Sequence, residues 1–161
     1  MKQLKKHQGM YTVEFAIVGS LFFLIFFAAL EISRLLFTWN ILTEVSRRGA
    51  RLATVCNLLS DTSDLTSITE PLGVTNLASF GNISMIPNLT ADNLNITYLD
   101  IDGVPATAIH EIRLVRAEII DYQHELIIPG LFLTLNSPTF STTLVSESLG
   151  AIPGVGYTTC I

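Results

Sequence analysis

From Met10 to Leu30 apolar residues fill almost every position, and Glu14 is the single charge among them. At about 1.5 Å per residue, a helix over this span is roughly 30 Å long, enough to cross a hydrocarbon core. Phe22, Phe23, Phe26, Phe27 and the Leu and Ile residues between them lie all around such a helix and leave no polar stripe. A helix apolar on every side belongs in lipid or in the middle of an assembly. The pattern then changes without a break. Leu35, Trp39, Leu42, Val45, Leu52 and Val55 recur at spacings of three, four and seven, which predicts an amphipathic continuation to about Cys56. Ser46, Gly49, Ala50 and Ala53 give that continuation one thin face, which another helix or a sheet can approach closely. Trp39 and Phe37 fall at the level expected of interfacial aromatics.

After Cys56 the periodicity ends. Residues 57–93 are rich in Asn, Ser, Thr, Asp and Gly and are broken by Pro71, Gly73, Gly81 and Pro87, so this stretch reads mostly as loop. Leu94-Asn-Ile96-Thr-Tyr98 alternates as a strand and runs to a turn at Asp102-Gly103. Residues Ile112–Tyr122 predict a second, long strand, with Glu125–Ile128 as its continuation before Pro129-Gly130, and Thr139–Val145 a third. The expected fold is α+β: a long N-terminal helix, membrane-spanning in its first half, packed by its second half on a small antiparallel sheet. The divisions are a basic leader over 1–9, a transmembrane helix over 10–38, its amphipathic continuation over 39–56, and a head over 57–161. Within the head, 57–93 is mostly loop, 94–146 is β-rich and 147–161 is a C-terminal tail.

Charge sharpens this picture. The formal net charge is −5, with 49% hydrophobic and 14% charged residues, too apolar for an ordinary soluble domain. Lys2, Lys5 and Lys6 are the only lysines and all precede the apolar span, which favours a cytoplasmic N-terminus and an exported remainder. Beyond Leu52 eleven acids face only Arg113 and Arg116, a local charge of −9. An acidic head of this kind repels nucleic acid, and that class of partner is set aside.

Three readings of the N-terminus are open on the residues alone. A cleaved signal peptide needs small residues at −3 and −1 after its apolar core; a cut after Ala29 would put Phe27 at −3. A plain signal anchor gives Gly9 and Glu14 no role, with Glu14 reaching to interfacial water. The third reading cuts between Gly9 and Met10 and keeps the helix. Gly9 lets the backbone lie extended in a protease groove, and Glu14 becomes the fifth residue of the mature chain. The new Met10 ammonium of one subunit then neutralises the Glu14 carboxylate of its neighbour and sets register between stacked helices. A carboxylate at the centre of a membrane helix costs roughly 2.5–3.5 kcal/mol on insertion scales, and such residues usually have a partner.

The residues around that site carry a family resemblance. Gly9 followed at five positions by Glu14-Phe15, the Phe-rich run, Glu31-Ile-Ser-Arg34-Leu-Leu-Phe and Arg48-Gly49-Ala50-Arg51 together resemble the TadE-like pseudopilins of bacterial tight-adherence (Tad) pilus systems. The similarity is closest over residues 9–53, with a weaker echo in Tyr122–Gly130 and Phe140–Gly150. A type II secretion pseudopilin more often has Phe after the cut, where this chain has Met10-Tyr11. The resemblance implies a pilin-like fold, cleavage and N-methylation by a dedicated prepilin peptidase, and a role as a minor subunit. Its implied partners are other pilins, the assembly platform and membrane lipid, at a bacterial cytoplasmic membrane crossed once. The alternative class is a single-pass, membrane-anchored binding protein of the envelope that never polymerises.

Other chemistry is thin. Glu31 and Arg34 sit three apart and are expected to pair on one helix face. Cys56 and Cys160 are the only thiols, and on the oxidising side of a membrane a disulfide tying the tail to the helix end is the natural expectation. His110-Glu111 and His124-Glu125 lack the His-Glu-x-x-His spacing of a zinc protease, and both histidines read as solvated. Asp100 and Asp102 beside Gly103 lack the full oxygen set of a calcium loop and read as a turn. No nucleophile elbow or phosphate loop is present. No catalytic, cofactor or metal site is expected, and the chain reads as a structural subunit, not an enzyme.

Overall fold

A single helix, α1, runs from Gln8 to Val55, 48 residues in all. The computed structural model describes residues 8–56, 74–80, 85–127, 133–154 and 156–157. No proline interrupts α1, and its hydroxyl side chains are satisfied within the helix. Ser20 donates to the Ile17 carbonyl, Ser33 to Ala29, Thr38 to Arg34 and Thr43 to Trp39, at 2.8–3.0 Å. Internal bonding of this kind lets polar side chains sit on a helix that has no water around it.

The head follows in chain order: α2 (Val74–Ala78), β1 (Leu94–Leu99), β2 (Leu114–Ile119), β3 (Gln123–Glu125), β4 (Thr134–Asn136), β5 (Ser141–Val145), β6 (Ala151–Ile152) and β7 (Gly156–Tyr157). Its main sheet is antiparallel in the order β1-β2-β5, with Ile96 opposite Ala117 and Ala117 opposite Thr142. Period-two alternation decides which face is buried. Leu94, Ile96 and Tyr98 from β1 and Val115, Ala117 and Ile119 from β2 point to the core, where they meet Leu42, Val45, Ala50 and Ala53 of α1.

The thin face predicted on α1 is where the sheet lies. Gly49, Ala50 and Ala53 are buried, and a Cβ built on Gly49 would lie 3.0 Å from Leu94 Cδ2 and 3.4 Å from Ala117 Cβ. Ser46 Oγ and Thr142 Oγ1 are hydrogen-bonded at 3.0 Å across the same contact. Only small side chains allow backbones this close.

Two elements depart from expectation. The long strand expected from Ile112 onward, continuing to Ile128, is two strands of different sheets: β2 pairs with β1 and β5, while β3 pairs with β4. Asp121 between them has φ 53°, a left-handed kink that a continuous strand cannot hold. It turns Tyr122 inward, 3% exposed, with its hydroxyl donating to the Pro87 carbonyl at 2.9 Å. Burial pushes the Tyr122 phenol above its usual pKa, and the charge of Arg34 opposes that rise. Within 57–93, read as mostly loop, α2 forms because Val74 and Ala78, one turn apart, are both fully buried and the helix packs on α1. The Asp100 turn is as expected: its Oδ1 accepts from the amides of Asp102 and Val104.

Candidate assembly and membrane interface

The helix divides sharply at Glu31. Before it, nearly every large apolar side chain of α1 is exposed, including Phe15 at 79% and Phe22 at 62%. Glu31 is the first buried residue along the helix, at 8%. Beyond it the head covers one face as far as Cys56. Among the described residues, none packs against the first half of α1, and its bare surface is the apolar one. Among the described residues this is the one helix long and apolar enough to cross a membrane.

Gly9 and Met10 lie in the first turns of α1, both exposed. Nothing lies within 4 Å of a Cβ placed on Gly9, so its value there is not close packing. Glu14 is exposed one turn further on. The ion pairs among the described residues involve Glu31, Glu44 and His124, not Glu14.

The boundary itself holds a polar cluster. Arg34 Nη1 lies 3.0 Å from Glu31, as the spacing predicts, and Arg34 Nη2 donates to the Glu125 carbonyl at 2.7 Å. His124 corrects the reading of both histidines as solvated. It is 3% exposed, and its Nε2 lies 3.2 Å from Glu31 Oε1. A carboxylate only accepts, so Nε2 carries the proton. The reason is the Asp121 kink, which starts β3 in the opposite phase and turns His124 toward α1. No local signal in the sequence marks this pairing, because Glu31 and His124 are 93 positions apart. His110, by contrast, is exposed as expected. Near it, the exposed Glu111 carboxylate is held below its usual pKa, first by the Thr107 hydroxyl and then by the backbone amides of Thr107 and Ala108.

The cluster joins helix to head where the helix becomes buried, which gives a prediction. Glu31→Ala leaves buried His124 without its acceptor and is expected to destabilise the full-length protein by about 1–3 kcal/mol. Glu31→Gln keeps an acceptor and recovers part of the loss. Thermal unfolding in detergent measures both, and an unchanged transition in Glu31→Ala contradicts the assignment.

Cys56 is 1% exposed at the end of α1; Cys160 lies outside the described residues. No group of three or more His, Cys, Asp or Glu residues suited to a metal occurs among the described residues.

No curated protein and no solved structure matches the chain. A family model does: that of the TadE-like proteins aligns with residues 9–51, starting on Gly9 and covering the bare half of α1, the Glu31–Arg34 pair and the Arg-Gly-Ala-Arg run. Over that segment, which lies on a long N-terminal helix followed by small antiparallel sheets, the chain is similar to the TadE-like proteins.

Proposed function

We propose that this chain is a minor pilin, or pseudopilin, that helps assemble a Tad-type adhesive pilus by priming, capping or forming its tip complex. The observation that carries the reading is the division of α1: an exposed apolar half that begins at the Gly9–Glu14 motif, and a packed half that carries the head. A subunit built this way is stored in a bilayer and transferred, helix first, into a bundle of like helices, where the same apolar surface finds protein in place of lipid. In this reading the protein starts in the bacterial cytoplasmic membrane with its N-terminus in the cytoplasm and its head outside.

A prepilin peptidase cuts between Gly9 and Met10, removing Lys2, Lys5 and Lys6 with the leader. The freed Met10 amine pairs with Glu14 of a neighbouring pilin. Glu31 and Arg34 hold the head at the membrane exit, and Cys56 pairs with Cys160. The cysteine pairing is supported by the burial of Cys56 and by the count of two cysteines in the chain; full alkylation of both thiols without a reductant contradicts it. Closing so long a loop contributes up to about 4–5 kcal/mol in the chain-entropy model.

Processing supplies the test. With a prepilin peptidase co-expressed, the wild-type chain is expected to lose its leader. Gly9→Val should keep the leader, because a β-branched residue resists the extended fit at the scissile position. Maturation of Gly9→Val to the wild-type mass contradicts the reading.

A further inference from the structure

The β3–β4 hairpin has a polarity boundary of its own. Gln123, Glu125, Thr134 and Asn136 are exposed and polar, whereas Leu126, Ile127 and Leu133 beyond them are apolar. Ile127 is 68% exposed and Leu133 48%. The five residues that join them in sequence, 128–132, carry no charge; they lie outside the described residues.

The height of this boundary follows from contacts along α1. Thr142 meets Ser46, Phe140 lies beside Trp39, and His124, paired in the ladder with Leu135, meets Glu31. From Ser46 back to Glu31 the helix descends about 22 Å. From Thr142 back to Leu135 an extended chain covers about 23 Å. The contacts at both ends agree with these lengths; carried on along the same line, Leu133 and Leu126 come about 6 Å lower, at the level of Phe27. The Leu126 amide donates to the Leu133 carbonyl there, at 3.1 Å. Phe27 and Leu30 belong to the bare half of α1. The hairpin thus turns apolar where the helix does, and the Arg34–Glu125 hydrogen bond ties the two boundaries together.

We propose that the hairpin is a second membrane contact, with Ile127 and Leu133 seated in the outward-facing leaflet beside α1. Lipid is the occupant because the apolar hairpin end continues the apolar surface of the helix at the same height. The cluster of Glu31, Arg34 and His124 then sits at headgroup level, and Glu125 keeps its carboxylate above the acyl chains. Such a contact fixes the head's tilt and rotation on the bilayer before assembly, which a single helix does not. It rests on the reading of α1 as membrane-spanning.

The test uses the full-length chain in phosphatidylcholine vesicles with brominated acyl chains, which quench tryptophan at known depth. Trp39 is the single native tryptophan, and Trp39→Phe removes it while keeping an aromatic ring against Phe140. Into that background go Ile127→Trp and, as an independent reporter, Leu133→Trp. Phe22→Trp reports the helix, and Ile101→Trp reports the exposed loop between β1 and β2 at the opposite end of the head. Phe22→Trp should be quenched by deep bromines. Ile127→Trp and Leu133→Trp should be quenched by shallow bromines several-fold more than Ile101→Trp. Quenching of Phe22→Trp with the two hairpin reporters no different from Ile101→Trp overturns the proposal and leaves the membrane span intact. A hairpin reporter that is blue-shifted but unquenched, as when another subunit's helix covers it, overturns it too. If Phe22→Trp is itself unquenched, the span fails and the proposal falls with it.

Discussion

Glu14→Ala is expected to insert and to be cleaved as well as the wild type, and yet to fail in assembly. Removing the carboxylate removes a group that costs roughly 2.5–3.5 kcal/mol at the centre of a membrane helix, and less toward the interface. Insertion should therefore be equal or better. Gly9 and the basic leader are untouched, so processing persists. What is lost, in the proposed assembly, is the partner of a neighbouring subunit's Met10 ammonium. An ammonium left unpaired inside a bundle of apolar helices is penalised far more than one in water. The loss should appear as a large fall in pilus output and in crosslinking to other pilins, with the membrane level unchanged. Normal piliation by this variant would rule the pairing out.

The second large effect belongs to the head. Gly49→Val is expected to destabilise the packed half of α1 by about 1–3 kcal/mol through overpacking. Leu94 Cδ2, which a Cβ at position 49 would meet at 3.0 Å, is on a side chain only 1% exposed, and Ala117 on the other side is fully buried. Neither has open space to yield into. Gly49→Ala is the informative companion. It gains about 1 kcal/mol of helix propensity and needs a shift of only a few tenths of an ångström at Leu94, so it should lie close to the wild type. Denaturant unfolding of the full-length protein in detergent separates them. A valine variant as stable as the alanine variant contradicts the close approach of sheet to helix.

The contrast between these two sites shows what could be read from the residues. The bare half of α1 was legible because a helix apolar on every side belongs in lipid or in the middle of an assembly, and Glu14 stands out against that background. The thin face at Ser46, Gly49, Ala50 and Ala53 was legible as a place of close approach, since small residues at helical spacing serve little else. That β1 and β2 were the elements approaching it was not legible, because strand order is set by tertiary pairing. The break between β2 and β3 is not legible, for a local reason. Residues 112–128 look like one strand interrupted by polar residues, and only the positive φ at Asp121 separates β2 from β3. That one backbone angle decides which way His124 faces. With it came the buried partner of Glu31 and the position of Ile127 and Leu133 below it, neither of which spacing in the chain announces.

The N-terminal half of α1 and the head are linked in the proposed function by one chemical event, the cut that frees Met10 within reach of Glu14 in the next subunit. Intact-mass measurement and N-terminal sequencing of the protein recovered from membranes that contain the prepilin peptidase test that event directly. The account predicts a mature chain that begins at Met10, with residues 1–9 gone and the whole apolar span retained. A chain that still begins at Met1 would make it a plain signal anchor, and one that begins after Ala29 a cleaved signal peptide. Either result would contradict the account.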